Sequence, residues 1–179
     1  MKNFILLLLI LPFISIAQQR VDINQLNTRG DTVKYNGKPF TGISIMMHQN
    51  GNLYIESTYK NGLLNGIEKT YYEDGTSLQS YSVYKNGKYN GVIKEWFPNG
   101  QIEKEITYVD DYKNGKSTHW YDNGQVMEEG KYNDCAEVGE WLYYYPNGQL
   151  KFKGLYEYGE KKGVWQEYTE DGQMKEVEY

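Results

Sequence analysis

Cysteine, histidine and basic charge are all scarce in this chain, and long apolar runs are confined to its first residues. One cysteine, Cys135, leaves no partner for an intramolecular disulfide, which excludes a cystine-stapled scaffold. The two histidines, His48 and His119, stand at no metal-ligand spacing, and neither marks a nucleophile–histidine–acid arrangement. Nineteen Lys and Arg against 24 Asp and Glu give a net charge of −5. That balance argues against nucleic acid and against unaided adhesion to anionic lipid.

The one apolar run opens the chain. MKNFILLLLILPFISIAQQ carries Lys2, an apolar stretch from Phe4 to Ile16, and small residues at Ser15 and Ala17. This is the pattern of a signal peptide over residues 1–17, cleaved after Ala17, so the protein is expected to be exported, periplasmic or secreted. The run is short for a spanning anchor, and no basic stop-transfer flank follows it. No cysteine follows the cleavage point, so no lipid anchor is expected there.

Tyrosine and glycine are abundant instead, at 19 residues each, and they recur in register. Six segments read alike: GISIMMHQNGN, GIEKTYYEDGT, GVIKEWFPNGQ, GKSTHWYDNGQ, GEWLYYYPNGQ and GVWQEYTEDGQ. Their opening glycines, Gly42, Gly66, Gly91, Gly115, Gly139 and Gly163, are spaced 24, 25, 24, 24 and 24 residues apart. Nine residues after each comes a second glycine, preceded by Asn or Asp. Tyr59, Tyr84, Tyr108, Tyr132 and Tyr156 follow in phase, and Tyr35 marks a partial copy before the first. A fixed period of this length signals stacked supersecondary units, each burying its apolar face on the next. Asn-Gly between β-prone runs such as WLYYY and QLKFK predicts a hairpin in every copy, with a type I′ turn.

Column by column, the fifth residue after the opening glycine is Met47, Tyr71, Trp96, Trp120, Tyr144 or Tyr168. The sixth is His48, Tyr72, Phe97, Tyr121, Tyr145 or Thr169. Neighbouring strand residues point to opposite faces. The fifth column, with Leu53, Leu78, Ile102, Val126, Leu150 and Met174 on the return strand, is therefore the expected core. Tyr72, Phe97, Tyr121 and Tyr145 form the candidate partner-binding face, since tyrosine offers large area with a polar tip.

Tyr-x-Asn-Gly-x-x-x-Gly, as in Tyr84 to Gly91, followed by an Asn-Gly hairpin, resembles the MORN-repeat-variant family over residues 35–179. MORN repeats proper continue Gly-x-Gly, whereas Gly139-Glu140-Trp141 and Gly163-Val164-Trp165 place tryptophan there, which favours the variant group. The resemblance implies an all-β, elongated, single-domain array of about six tandem 24-residue hairpins, used for binding without catalysis. Some relatives are labelled YwqK-type antitoxins, so an immunity-like role is one implication. The family motif holds no catalytic residue, and no cofactor or metal is expected. Residues 18–34 form a lead-in ahead of the array.

Other features read as structure. Asp74-Gly75 and Asp171-Gly172 lack the alternating carboxylates of a calcium loop and sit at turn positions. Lys60-Asn61-Gly62, Lys85-Asn86-Gly87 and Lys113-Asn114-Gly115 resemble a basic ladder, but the third is out of phase and a solvated turn accounts for them. Three functional classes stay open. They are a protein-binding scaffold, a glycan or cell-wall binder like other Trp-Tyr-Tyr hairpin repeats, and a membrane-surface module.

Overall fold

The computed structural model describes residues 18–30 and 32–179. The signal peptide read at residues 1–17 lies outside the described residues. Those described contain no α-helix, only a short 3-10 turn at Ile23–Gln25. β1 (Arg20–Asp22) leads into a small sheet of β2 (Asn27–Arg29), β3 (Thr32–Tyr35) and β4 (Lys38–Pro39). Six hairpins follow. They are β5 (Gly42–Met47) with β6 (Leu53–Lys60), β7 (Leu63–Tyr71) with β8 (Leu78–Lys85), and, after the short β9 (Lys88–Tyr89), β10 (Gly91–Trp96) with β11 (Ile102–Val109). Then come β12 (Tyr112–Trp120) with β13 (Val126–Asn133), β14 (Ala136–Tyr144) with β15 (Leu150–Glu157), and β16 (Glu160–Tyr168) with β17 (Met174–Glu178).

From β5 onward the strands pair antiparallel in sequence order, with β8 pairing both the short β9 and β10, producing one open sheet. At about 4.8 Å per strand the array is on the order of 58 Å long. The lead-in closes the first edge: β1 pairs parallel with β5, and Arg20 binds Glu56 at 2.6 Å.

Two kinds of turn alternate, and they reverse the expected assignment. The Asn-Gly turns inside the copies are not type I′. Gly100 N–H donates to the Phe97 carbonyl, Phe97 N–H donates to the Gln101 carbonyl, and Gly100 alone has positive φ (+83°). This is a type I turn followed by a left-handed glycine. Pro98 sits where that turn favours proline, and Asn99 stays outside the left-handed region. The Asn99 side chain instead accepts from the Gln101 N–H at 3.0 Å. The 25-residue spacing has its cause here too, because the second copy closes one residue later, Tyr72 N–H to the Ser77 carbonyl.

The type I′ turns lie between copies, where both central residues have positive φ: Asn61-Gly62, Asn86-Gly87, Asp110-Asp111, Asp134-Cys135 and Tyr158-Gly159. Asn36-Gly37 makes the same turn in the partial copy. Lys113-Asn114-Gly115 is strand, and Asp110-Asp111 holds the turn it imitates. Every later between-copy turn is tied to the preceding copy, as in Gly87 N–H to the Leu64 carbonyl and Cys135 N–H to the Lys113 carbonyl.

The core also differs from expectation. The fifth column pairs with the return-strand aliphatics as anticipated, Trp96 with Ile102 and Trp120 with Val126. It is nevertheless only half-buried, and Met47 is exposed. The deepest row runs across the other face, through Val21, Ser44, Ser57, Glu68, Ser82, Ile93, Ile106, Ser117, Gly130, Trp141, Gly154 and Trp165, most of them register partners on successive strands. Among the described residues, nine of the eleven buried side chains belong to it; Phe40 and Thr118 are the others. Trp141 and Trp165 are each 1% exposed. Each lies against the bare backbone of a glycine: a Cβ at Gly130 would stand 2.2 Å from the Trp141 ring, and one at Gly154 2.3 Å from the Trp165 ring. Tyr132 and Tyr156 close on Trp141 edge-on, and Tyr156 and Tyr179 on Trp165. The in-phase tyrosines are thus the lid of the core.

Candidate functional site

The sixth-column residues follow the last strand residue of each outward strand, so they line the turn edge of the array rather than a sheet face. Each begins a turn, and in four copies the side chain reaches along the array to the next copy. The Tyr121 hydroxyl donates to the Tyr144 carbonyl at 2.8 Å, Tyr145 to the Tyr168 carbonyl at 2.9 Å, and Tyr72 to the Trp96 carbonyl. His48 Nε2 lies 3.0 Å from the Tyr71 carbonyl in the same position. Phe97 has no hydroxyl to offer Trp120. Asparagine amides from the turns run parallel to these tethers, Asn99 to the Asp122 carbonyl and Asn123 to the Pro146 carbonyl, both at 2.7 Å. All four candidate rings, Tyr72, Phe97, Tyr121 and Tyr145, are half-buried at the same place in successive copies, and the three tyrosines are tethered.

A column that sequence reading missed stands beside them. In the first five copies the return strand carries one extra residue just after the turn, a bulge at Tyr54, Gln79, Glu103, Met127 and Lys151. Such bulges bend the strand and re-aim a side chain. Tyr54 packs on His48 with ring centroids 4.5 Å apart, and Lys151 Nζ sits 5.2 Å from the centre of the Tyr145 ring. No shared residue type marks this column, so only its position in the repeat identifies it.

Grooves lie between successive sixth-column rings. One of about 330 Å³ is bounded by Phe97, Glu103, Trp120, Tyr121, Asp122 and Met127, with His119 at its wall. Another of similar volume lies between Tyr145 and Thr169 and is lined by Lys175. Burial holds the His119 imidazole below the ordinary histidine value, against the opposing pull of Glu128. Burial likewise raises the hydroxyls of the lid tyrosines Tyr84 and Tyr132 and of Tyr143 two residues along from Trp141. Tyr132 is pushed up to about 12, and at Tyr84 and Tyr143 the Tyr89 and Tyr156 hydroxyls add to the effect.

Groups suited to bond-making chemistry are dispersed. Among the described residues no three metal-ligating side chains cluster. His48 and His119 belong to different copies and columns. Cys135 is exposed in a between-copy turn at φ +68°, its sulfur accepting the Lys113 N–H at 3.3 Å. The Asp74 carboxylate caps its own turn through the N–H groups of Thr76 and Ser77.

The family model described as MORN repeat variant matches the chain six times, at residues 40–61, 64–86, 89–110, 113–134, 137–158 and 161–179. No curated protein matches it. Each matched segment spans one between-copy turn or its flank together with one hairpin, in the phase that the glycines set.

Proposed function

This chain belongs to the MORN repeat variant family, and from that premise we propose that it is an exported, non-catalytic scaffold that captures another protein along its turn edge. MORN repeats are generally associated with protein or membrane binding, and the family is generally non-catalytic. The observation that carries the choice of protein is the line of Tyr72, Phe97, Tyr121 and Tyr145, three of which have their hydroxyls fixed on the next copy. Rings already held in place lose little freedom on binding, which is the usual source of affinity at aromatic anchors. A membrane surface is disfavoured by the acidic excess and by the mixed charges on the sheet, where Lys94 pairs with Glu105 and Lys104 with Glu95. Export through residues 1–17 would bring the scaffold to a partner outside the cytosol, as an immunity protein against an exported toxin requires.

The test is affinity capture from native envelope extract with three baits of matched melting behaviour. These are the unaltered chain, Tyr121→Ser with Tyr145→Ser, and Tyr121→Phe with Tyr145→Phe. The serine pair should lose a stoichiometric partner by about a thousandfold in affinity, while the phenylalanine pair, which keeps both rings, retains it. Equal retention by all three baits would remove this edge from the reading.

A further inference from the structure

We propose that the groove between Phe97 and Tyr121 is the anchor point of the scaffold, and that it receives an arginine side chain from the bound protein. The inference rests on the scaffold reading above and names the chemistry of its contact.

Equivalent places in the third and fifth copies differ in the bulge side chain. In the fifth copy the bulge residue is Lys151, and its ammonium lies 5.2 Å from the centre of the Tyr145 ring and at the same distance from Phe152. That copy supplies its own cation to its own sixth-column ring. In the third copy the same bulge position holds Glu103, beside Phe97. The ring is kept and the cation is replaced by a carboxylate; both copies leave a groove of about 330 Å³, and only the third lacks a cation of its own on the ring.

Three further features match one ligand class. Glu103 and Asp122 both line the groove, and among the described residues neither takes part in an ion pair. Lys104, next along the strand, is committed to Glu95 at 2.9 Å. The Trp120 carbonyl occupies the place that receives a tyrosine hydroxyl in three other copies, and Phe97 brings none. The groove therefore offers aromatic rings from Phe97, Trp120 and Tyr121, two carboxylates and one carbonyl acceptor. A guanidinium stacks flat on aromatic faces and carries five donors in a planar fork, so it answers all three at once. Burial lowers the proton affinity of His119 at the wall, which works against an opposing charge there.

The experiment titrates the full chain with N-acetyl-arginine methylamide and, in parallel, with the citrulline analogue, which has the same shape and no charge. Shifts of the Trp120 indole and Met127 methyl resonances are followed by NMR. The arginine probe should shift both saturably at millimolar concentration, and the citrulline probe should bind at least about tenfold more weakly. Glu103→Lys should abolish the arginine response, because lysine in this column places its own cation on the ring as Lys151 does. Glu103→Gln keeps the shape, removes the charge, and should weaken binding by about tenfold. Equal response to the two probes, or an arginine response unchanged in Glu103→Lys, would overturn the assignment. Partner capture that survives Glu103→Lys would reject the anchor while leaving the scaffold intact. Arginine binding without any captured partner would do the reverse.

Discussion

One buried row crosses the whole sheet, yet its two ends are filled by opposite means. In the first copies it is polar and small. The Ser57 hydroxyl donates to Glu68 at 2.6 Å, the Tyr84 hydroxyl meets the same carboxylate at 3.3 Å, and Ser44, Ser57 and Ser82 are buried. In the last two copies it is bare backbone under indole, Gly130 beneath Trp141 and Gly154 beneath Trp165. The backbone register and the tyrosine lid are shared by both ends. What differs is the source of cohesion, a hydrogen-bonded carboxylate at one end and large apolar area at the other. A repeat backbone of this kind specifies the volume of the row and leaves its chemistry to each copy.

The comparison can be broken most severely at the tryptophans. Trp141→Ala should cost roughly 3–5 kcal/mol in a denaturant melt, because a fully buried ring leaves a cavity over Gly130. Loss of under about 1 kcal/mol would show that the indole is replaceable. Gly130→Ala comes next, at about 1–3 kcal/mol, since its Cβ would stand 2.2 Å from the Trp141 ring. Combining it with Trp141→Phe should recover part of that loss, and strict additivity would deny the size pairing. Ser57→Ala should cost about 1–2 kcal/mol by removing a donor from Glu68, with little change if the carboxylate simply turns to solvent. Tyr121→Phe removes one tether to the Tyr144 carbonyl and should cost about 1 kcal/mol.

The smallest effect is felt only in alkali. An unfolded tyrosine releases its proton near pH 10, while burial holds Tyr132 protonated to about 12 and also raises Tyr84 and Tyr143. In that window the unfolded state binds fewer protons than the folded one, so stability falls as pH rises. It is fully present below about pH 10. Melts paired with phenolate absorbance should show the decline begin there, and Tyr132→Phe should shrink it. A flat profile up to about pH 12 would contradict the buried lid.

The period, the hairpins and the sheet class were legible because glycine and tyrosine repeat in register, and each is required by local geometry. At Gly91, with φ +137°, even a Cβ would meet Val83 at 2.9 Å. The core row was not legible. Serine and glycine do not read as interior residues; they become interior only because tyrosines 17 or 18 residues into each copy fold over them. The turn types were misassigned from the dipeptide alone, though Pro98 and Pro146, each preceding Asn-Gly, carried the distinguishing cue. Of the candidate site, the ring column could be read directly. The bulge residues beside it could not, since Tyr54, Glu103 and Lys151 share a position and no chemistry.

The strictly sequential order of the hairpins also sets how the chain comes to be folded. From β5 onward no strand waits for a partner made much later, so loop closure stays short and each pairing follows soon after its residues appear. β1, which pairs parallel with β5, is already present when that first hairpin forms, and offers it a ready edge. Growth can then advance one copy at a time from the amino-terminal end, as a zipper does. A chain released gradually, from a ribosome or through a pore, would leave only its newest hairpin exposed at any moment.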